Sequence, residues 1–310
     1  MTTVKQHIRA IRGKIVPVKQ HNRKGALNNK KLPKPKRFIS KNYNDINDFW
    51  MPDKLEKLKE IDSVSYEALK NTNQGLTQYN KLNESNPDKY PADGNPFAYN
   101  CYKCVSVFEL RRRGLKVKAK PAEIYGMDNI KELTARELRI IDKAISQKTN
   151  RCWKDKQSGK PNSDFIQIAS NDTAIDNIKE HISKNYPKGE KRIFILEWRR
   201  KKPNTATPIT GHTIIIQQID GELFFIDPQT GGNFELPLEM EFSMDFINLD
   251  SVELSRIDNK DFDKRFFEFL CIPDNELFDM ESLSSWAQQK AEYVEKDPAY
   301  KEFLATLKTN

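Results

Sequence analysis

The residues best suited to chemistry in this 310-residue chain are two cysteines spaced C-x-x-C, Cys101 and Cys104, in the stretch "YNCYKCVSVFELRRRG" (99–114). Such a pair can bind zinc, cycle through a disulfide, supply a nucleophile, or simply pack in a core. Structural zinc needs two further ligands, and Cys152 and His181 offer no ligand spacing. A thioredoxin-like pair opens the helix of a βαβ unit, and no such strands flank this one. A nucleophilic cysteine needs a base, and the base needs an orienting group. Of four histidines, His7 and His21 lie near the N-terminus, and His181 falls mid-helix among Lys and Glu. His212 differs, because it follows Gly211 at the opening of the apolar run "HTIIIQQI".

Asp227 ends the next run, "ELFFID", and "DG" at Asp220–Gly221 joins the two runs as a strong hairpin signal. In a tight hairpin there, positions summing to about 441 lie opposite each other. That register puts residue 229 across from His212, with Asp227 close by. Base and orienter meet at one end of two strands. Read as a bland feature, Asp227 is a turn former before Pro228.

The cysteines themselves sit on a predicted helix over 101–113, where Cys101, Cys104, Val105 and Phe108 recur at i, i+3, i+4 and i+7 and share one face. Arg111, Arg112 and Arg113 close its last turn, and Gly114 is a C-terminal stop. Further helices are expected in 51–61, 65–82, 134–147 and 172–186 and near the C-terminus. Strands are expected at 192–198, 212–219 and 222–227, with a short one in "KVKAKP". Helices followed by antiparallel strands imply an α+β fold.

Charge divides the chain. Residues 1–44 hold 13 of its 52 Lys and Arg and no acid, which leaves the remainder, with 44 acids, at net −5. The basic arm carries an echo, "VKQHIR" and "VKQHNR", around a hairpin turn near Gly13. It suits nucleic acid or an acidic partner, or serves as a solubilising tail. A helical segment over 45–93, a catalytic domain over 94–255 and a mostly helical extension over 256–310 follow. No run is long and apolar enough for a transmembrane helix, and the N-terminus lacks the apolar core of a secretory signal. Four cysteines make no disulfide framework, so a reducing, cytoplasmic setting is expected.

Two segments, "NPFAYNCYKCVSVFELRRRG" and then "GHTIIIQQIDGELFFIDPQTGG", together resemble the papain-fold toxin family, similar to the glutamine-deamidase domains of bacterial effectors. An Asn-Pro, an Asn-Cys-x-x-Cys, a helix, a Gly-His strand and a strand ending Asp-x-Gln-Thr-Gly occur in the family's order, over roughly residues 94–235. The resemblance implies a papain-like core and a triad of Cys101, His212 and Asp227, with Cys104 as the alternative nucleophile. Cys101 is preferred because it opens the helix. Oxyanion donors would be the Cys101 backbone N–H and a side-chain amide from Asn95, Asn100 or Gln229. No metal or cofactor is implied. The expected function is a cysteine-dependent amidohydrolase acting on protein, a glutamine deamidase-type toxin or effector. An immunity or delivery partner, a specialised secretion or injection route and carriage by a phage or mobile element fit that reading. A papain-like protease is one alternative. A non-catalytic, virion-associated binding protein is another.

Overall fold

The computed structural model describes residues 52–122, 152–162, 165–168, 174–186, 189–201, 208–235, 238 and 248–296, with four short strands before residue 24. Those four belong to the basic arm. β1 (Thr2–Val4) pairs antiparallel with β4 (His21–Arg23), and β2 (His7–Ile11) with β3 (Lys14–Val18). The Ile11↔Lys14 pair leaves Arg12 and Gly13 between them, where the hairpin turn was expected. The expected helix over 134–147 and the last C-terminal helix after residue 296 lie outside the described residues.

Three helices follow: α1 (Pro52–Ile61), α2 (Ser63–Thr72) and α3 (Gln74–Ser85). The periodic stretch 65–82 is therefore two helices, broken at Asn73. Then come α4 (Cys101–Arg112), β5 (Val117–Ala119), β6 (Trp153–Asp155), β7 (Phe165–Ile168), α5 (Ala174–Asn185), β8 (Arg192–Lys201), β9 (Pro208–Ile219), β10 (Glu222–Asp227), β11 (Gly232–Asn233), β12 (Asn248–Arg256), β13 (Lys260–Phe262), α6 (Phe267–Leu270), β14 (Cys271–Pro273) and α7 (Met280–Lys296). The fold is α+β. Six antiparallel strands run in the order β11-β10-β9-β8-β12-β7.

The β9–β10 register is the one the turn dictates: from Glu222↔Ile219 to Ile226↔Ile215 the paired numbers sum to 441. Asp220 at φ 51 and Gly221 at φ 84 supply the two left-handed residues of a tight hairpin turn. Ile214, Ile215 and Ile216 are all buried, as are Phe224, Phe225 and Ile226, so both sheet faces are covered. On the face of Phe224 and Gln217, Lys54 of α1 lies over the Phe224 ring, and Gln217 bonds Asp62 and Ser65 at the start of α2. On the opposite face, Lys179 of α5 lies over Phe225. This double coverage explains why these strands read as continuous apolar runs rather than alternating ones.

The helix α4 corrects one expectation. Rather than presenting one apolar face, it is buried at every position from Tyr102 to Leu110. Its charged residues are satisfied inside: Glu109 accepts from Arg112 Nε and Arg113 Nε, both at 2.8 Å, and Lys103 Nζ donates to the Pro121 carbonyl at 2.8 Å. The arginine run thus anchors the helix, with Arg113 also reaching the carbonyls of Ile257 and Lys260.

Segments that sequence reading separated share one core. Its buried cluster includes Leu55, Leu58 and Leu69 from the first helices, Cys104 and Phe108 from α4, the sheet isoleucines, and Leu270 and Cys271. The region after 255 also returns strands, β13 to β6 and β14 to β5, rather than helices alone.

Gly211 has a packing reason. A Cβ there would stand 2.7 Å from the Trp198 carbonyl oxygen, a backbone atom that cannot swing away. Gly211→Ala is expected to destabilise the protein by about 1–3 kcal/mol. Urea unfolding of the two proteins measures this, and an unchanged midpoint would contradict it.

Candidate active site

Asn100 precedes α4 and is fully buried. Its backbone carbonyl takes the first helical bonds, from Lys103 N at 2.8 Å and Cys104 N at 3.1 Å. Its side chain makes no cap. The N–H of Cys101 is among the first-turn groups for which a helix has no internal acceptor, at the positive end of the dipole. Cys101 is half-buried; Cys104, Cys152 and Cys271 are buried.

From the sheet, His212 and Asp227 project to the same face. Phe225 pairs with Ile216, and stepping by two along each strand reaches Asp227 on one and Ile214 and His212 on the other. His212 Nε2–H donates to Asp227 Oδ2 at 2.9 Å. Nδ1 is then the nitrogen not held by the carboxylate, and Cys101 is close enough to count among the charges that raise the ring's pKa. Trp198, directly across from His212, meets it edge-on at 5.3 Å, and Phe234 packs against it at 5.3 Å. These two rings fix the imidazole plane.

Asp227 combines the bland and the chemical readings. Its Oδ1 accepts from Gln229 N–H at 2.8 Å, forming the turn, while Oδ2 holds His212. The strand pairing ends at Ile226↔Ile215, because this turn redirects the chain. Gln229 consequently does not stand opposite His212. It is buried, with Nε2 donating to Phe97 O at 3.4 Å and Asn100 Oδ1 at 3.3 Å.

The other amides are also placed. Asn95 accepts from Phe97 N–H at 2.9 Å as the cap of a short turn and donates to Asn80 at 3.1 Å. Asn100 Nδ2 donates to Lys120 O at 2.9 Å and Asn73 Oδ1 at 3.1 Å. Asn73, Trp198 and Phe234 were not singled out from sequence. Trp198 had a signal, as the large aromatic ending the strand that neighbours His212; Asn73 had none. His181 lies on α5, its Nδ1 beside Asn185. Among the described residues no group of His, Cys, Asp and Glu could hold a metal ion.

With this arrangement in view, one comparison with protein families bears on it. Residues 99–232 match the family model described as papain fold toxin 1, glutamine deamidase. The matched segment opens two residues before Cys101 and ends at Gly232, across from Asp227, so it spans all three residues of the constellation. It takes in less than half of the chain and excludes α1–α3 and β12. No curated protein and no solved structure matches the chain significantly. No helix among the described residues is long and apolar enough to cross a membrane.

Electrostatics distinguishes the titratable groups within the matched segment. Burial opposes a charge on His212, but the Asp227 carboxylate and then Cys101 outweigh it and push its pKa up to about 10. Burial pushes the Cys104 thiol well up, helped by the nearby Asp227 and Cys101, and Cys104 Sγ donates to Asn100 Oδ1 at 3.2 Å. Burial likewise lifts Cys152 and Cys271 to about 12. Because the folded pKa of His212 lies above its unfolded value, its contribution to stability is complete below pH ~6.5 and is lost as pH rises through about 10. The thermal stability advantage of wild type over His212→Ala is therefore expected to shrink across that window. A constant advantage from pH 6 to 10, measured by calorimetry, would contradict the charged ring.

Proposed function

We propose that the chain is a cysteine-dependent amidohydrolase with a papain-like core, and that its reaction is deamidation of a glutamine side chain on a protein. Cys101 is the nucleophile, His212 the proton carrier and Asp227 the group that orients it. One observation carries this reading: the sheet holds an imidazole by its Nε2 on a buried carboxylate at 2.9 Å, and the partly exposed thiol that opens α4 is among the groups that raise that imidazole's pKa.

In this mechanism the Cys101 thiolate attacks the carboxamide carbon. The oxyanion is met by the Cys101 N–H and a side-chain amide. Gln229 is the best-placed of the three candidate amides to be redirected, because its Nε2 bonds are the long ones. The tetrahedral intermediate collapses as imidazolium His212 passes a proton to the leaving ammonia, and a thioester remains. Acylation also removes the thiolate that helped raise His212, which lowers its pKa toward what a base requires. His212 then takes a proton from water, the water oxygen attacks the thioester, and glutamate and the free thiol result.

The same groups would hydrolyse a peptide bond, so product identity decides between deamidase and protease. Incubation with glutamine-rich protein substrates is expected to release ammonia and to convert Gln to Glu in peptide maps. New chain termini without ammonia would instead favour the protease. Neither product, alongside unreactive cysteines, would favour a binding role. Under the toxin reading the chain acts on a protein inside a target cell and is delivered there, with an immunity partner guarding the producer. Residues 1–44, with 13 bases, suit an acidic partner or nucleic acid at that stage. Carriage by a phage is compatible with this and rests on the echoed arm alone.

A further inference from the structure

Asn73 lies outside the segment that matches the toxin family, yet its side chain reaches both halves of the site. It is buried where α2 ends and α3 begins, and it does not cap α3. Its Nδ2 donates to Gln229 O at 2.9 Å, Phe97 O at 3.0 Å and Asn100 Oδ1 at 3.3 Å. Its Oδ1 accepts from Asn100 Nδ2 at 3.1 Å. On one side this grips the residue just before Cys101, the carbonyl of which opens α4. On the other it grips the carbonyl of Gln229, the residue whose own N–H, in the preceding peptide, holds Asp227 Oδ1 at 2.8 Å. Only a two-ended amide satisfies both partners, since Asn offers donors and an acceptor together.

We propose that Asn73 is a positioning residue for the active site, setting the Cys101 end of α4 against the Asp227 turn, so that the helices before the matched segment belong to the catalytic unit. This rests on the amidohydrolase reading of Cys101, His212 and Asp227. Three buried carboxamides, Asn73, Asn100 and Gln229, then form a joint beneath the triad.

The test compares Asn73→Ala and Asn73→Asp with Asn83→Ala, a control in α3 whose amide bonds Tyr90 O away from the site. Circular dichroism establishes folding. Iodoacetamide alkylation of Cys101 is followed against pH, well below each melting temperature, and the low-field proton resonance of the His212–Asp227 bond is recorded by NMR. The folded Asn73 variants are expected to alkylate roughly tenfold to a hundredfold more slowly at neutral pH and to lose or shift that resonance. Asn83→Ala should lose stability while keeping both signals. A folded Asn73→Ala with the wild-type profile and resonance would overturn the inference. So would failure of both Asn73 variants to fold, because Asn73 would then hold the fold rather than position the site. If His212→Ala leaves Cys101 alkylation unchanged, the amidohydrolase reading itself fails. If His212→Ala slows it and Asn73→Ala does not, only the positioning role fails.

Discussion

Cys101→Ala is expected to remove deamidation almost completely, by a factor on the order of 10⁶, the scale on which a triad nucleophile fails. Cys104→Ala, three residues along the same helix, should retain activity within about tenfold. The contrast follows from surroundings, because both residues share one C-x-x-C. Cys104 is fully buried, its thiol is pushed well up by desolvation, and its Sγ donates to Asn100. Cys101 opens the helix, is partly exposed, and is among the groups that raise the pKa of His212. The outcome is read from ammonia release per folded protein. Loss of activity in Cys104→Ala with survival in Cys101→Ala would reverse the assignment.

Asp227→Asn should keep the fold and lose about 10³–10⁴-fold in activity. The geometry dictates how. Asp227 uses Oδ1 to accept from Gln229 N–H and Oδ2 to hold His212 Nε2. An asparagine keeps the turn by leaving its carbonyl oxygen on the Gln229 N–H. Its NH₂ must then donate to His212 Nε2, which drives the ring proton to Nδ1. In the proposed mechanism that nitrogen serves Cys101, so the base is blocked where it is needed. The positive ring also loses the carboxylate that raised it. The double variant with His212→Ala should be little worse than His212→Ala alone, because residues acting as one unit are non-additive. Additive losses would show that Asp227 acts elsewhere.

The meeting of His212 and Asp227 in this candidate site was legible in the sequence because local rules generate it. The Asp220–Gly221 turn fixed the register of β9 on β10, and the register brought Asp227 to the end of the sheet occupied by His212. The start of α4 at Cys101 followed from its apolar spacing and the Gly114 stop. What escaped was non-local. β12 reads as a polar stretch, "NLDSVELSR", yet it lies between β8 and β7, and only those partners make it a strand. The joint of Asn73, Asn100 and Gln229 spans 156 positions, and no spacing rule links an asparagine between two helices to a turn after a distant strand. The residue-229 pairing failed for a related reason: the Asp227 side chain bends the backbone before the ladder can reach it. Uniform burial of α4 was hidden too, since Lys103 and Glu109 look like surface residues until their partners are known.

The coupling of Cys101 to His212 is tested most directly by the pH dependence of iodoacetamide alkylation at each cysteine, in wild type and in His212→Ala. In wild type, Cys101 alone is expected to react at neutral pH, with Cys104, Cys152 and Cys271 held as buried thiols. In His212→Ala, folded by circular dichroism, Cys101 should react much more slowly, because the proposed base for its thiol is gone. Superimposable Cys101 profiles in the two proteins would mean that the thiol and the imidazole do not act on each other, and the hydrolase mechanism would fall.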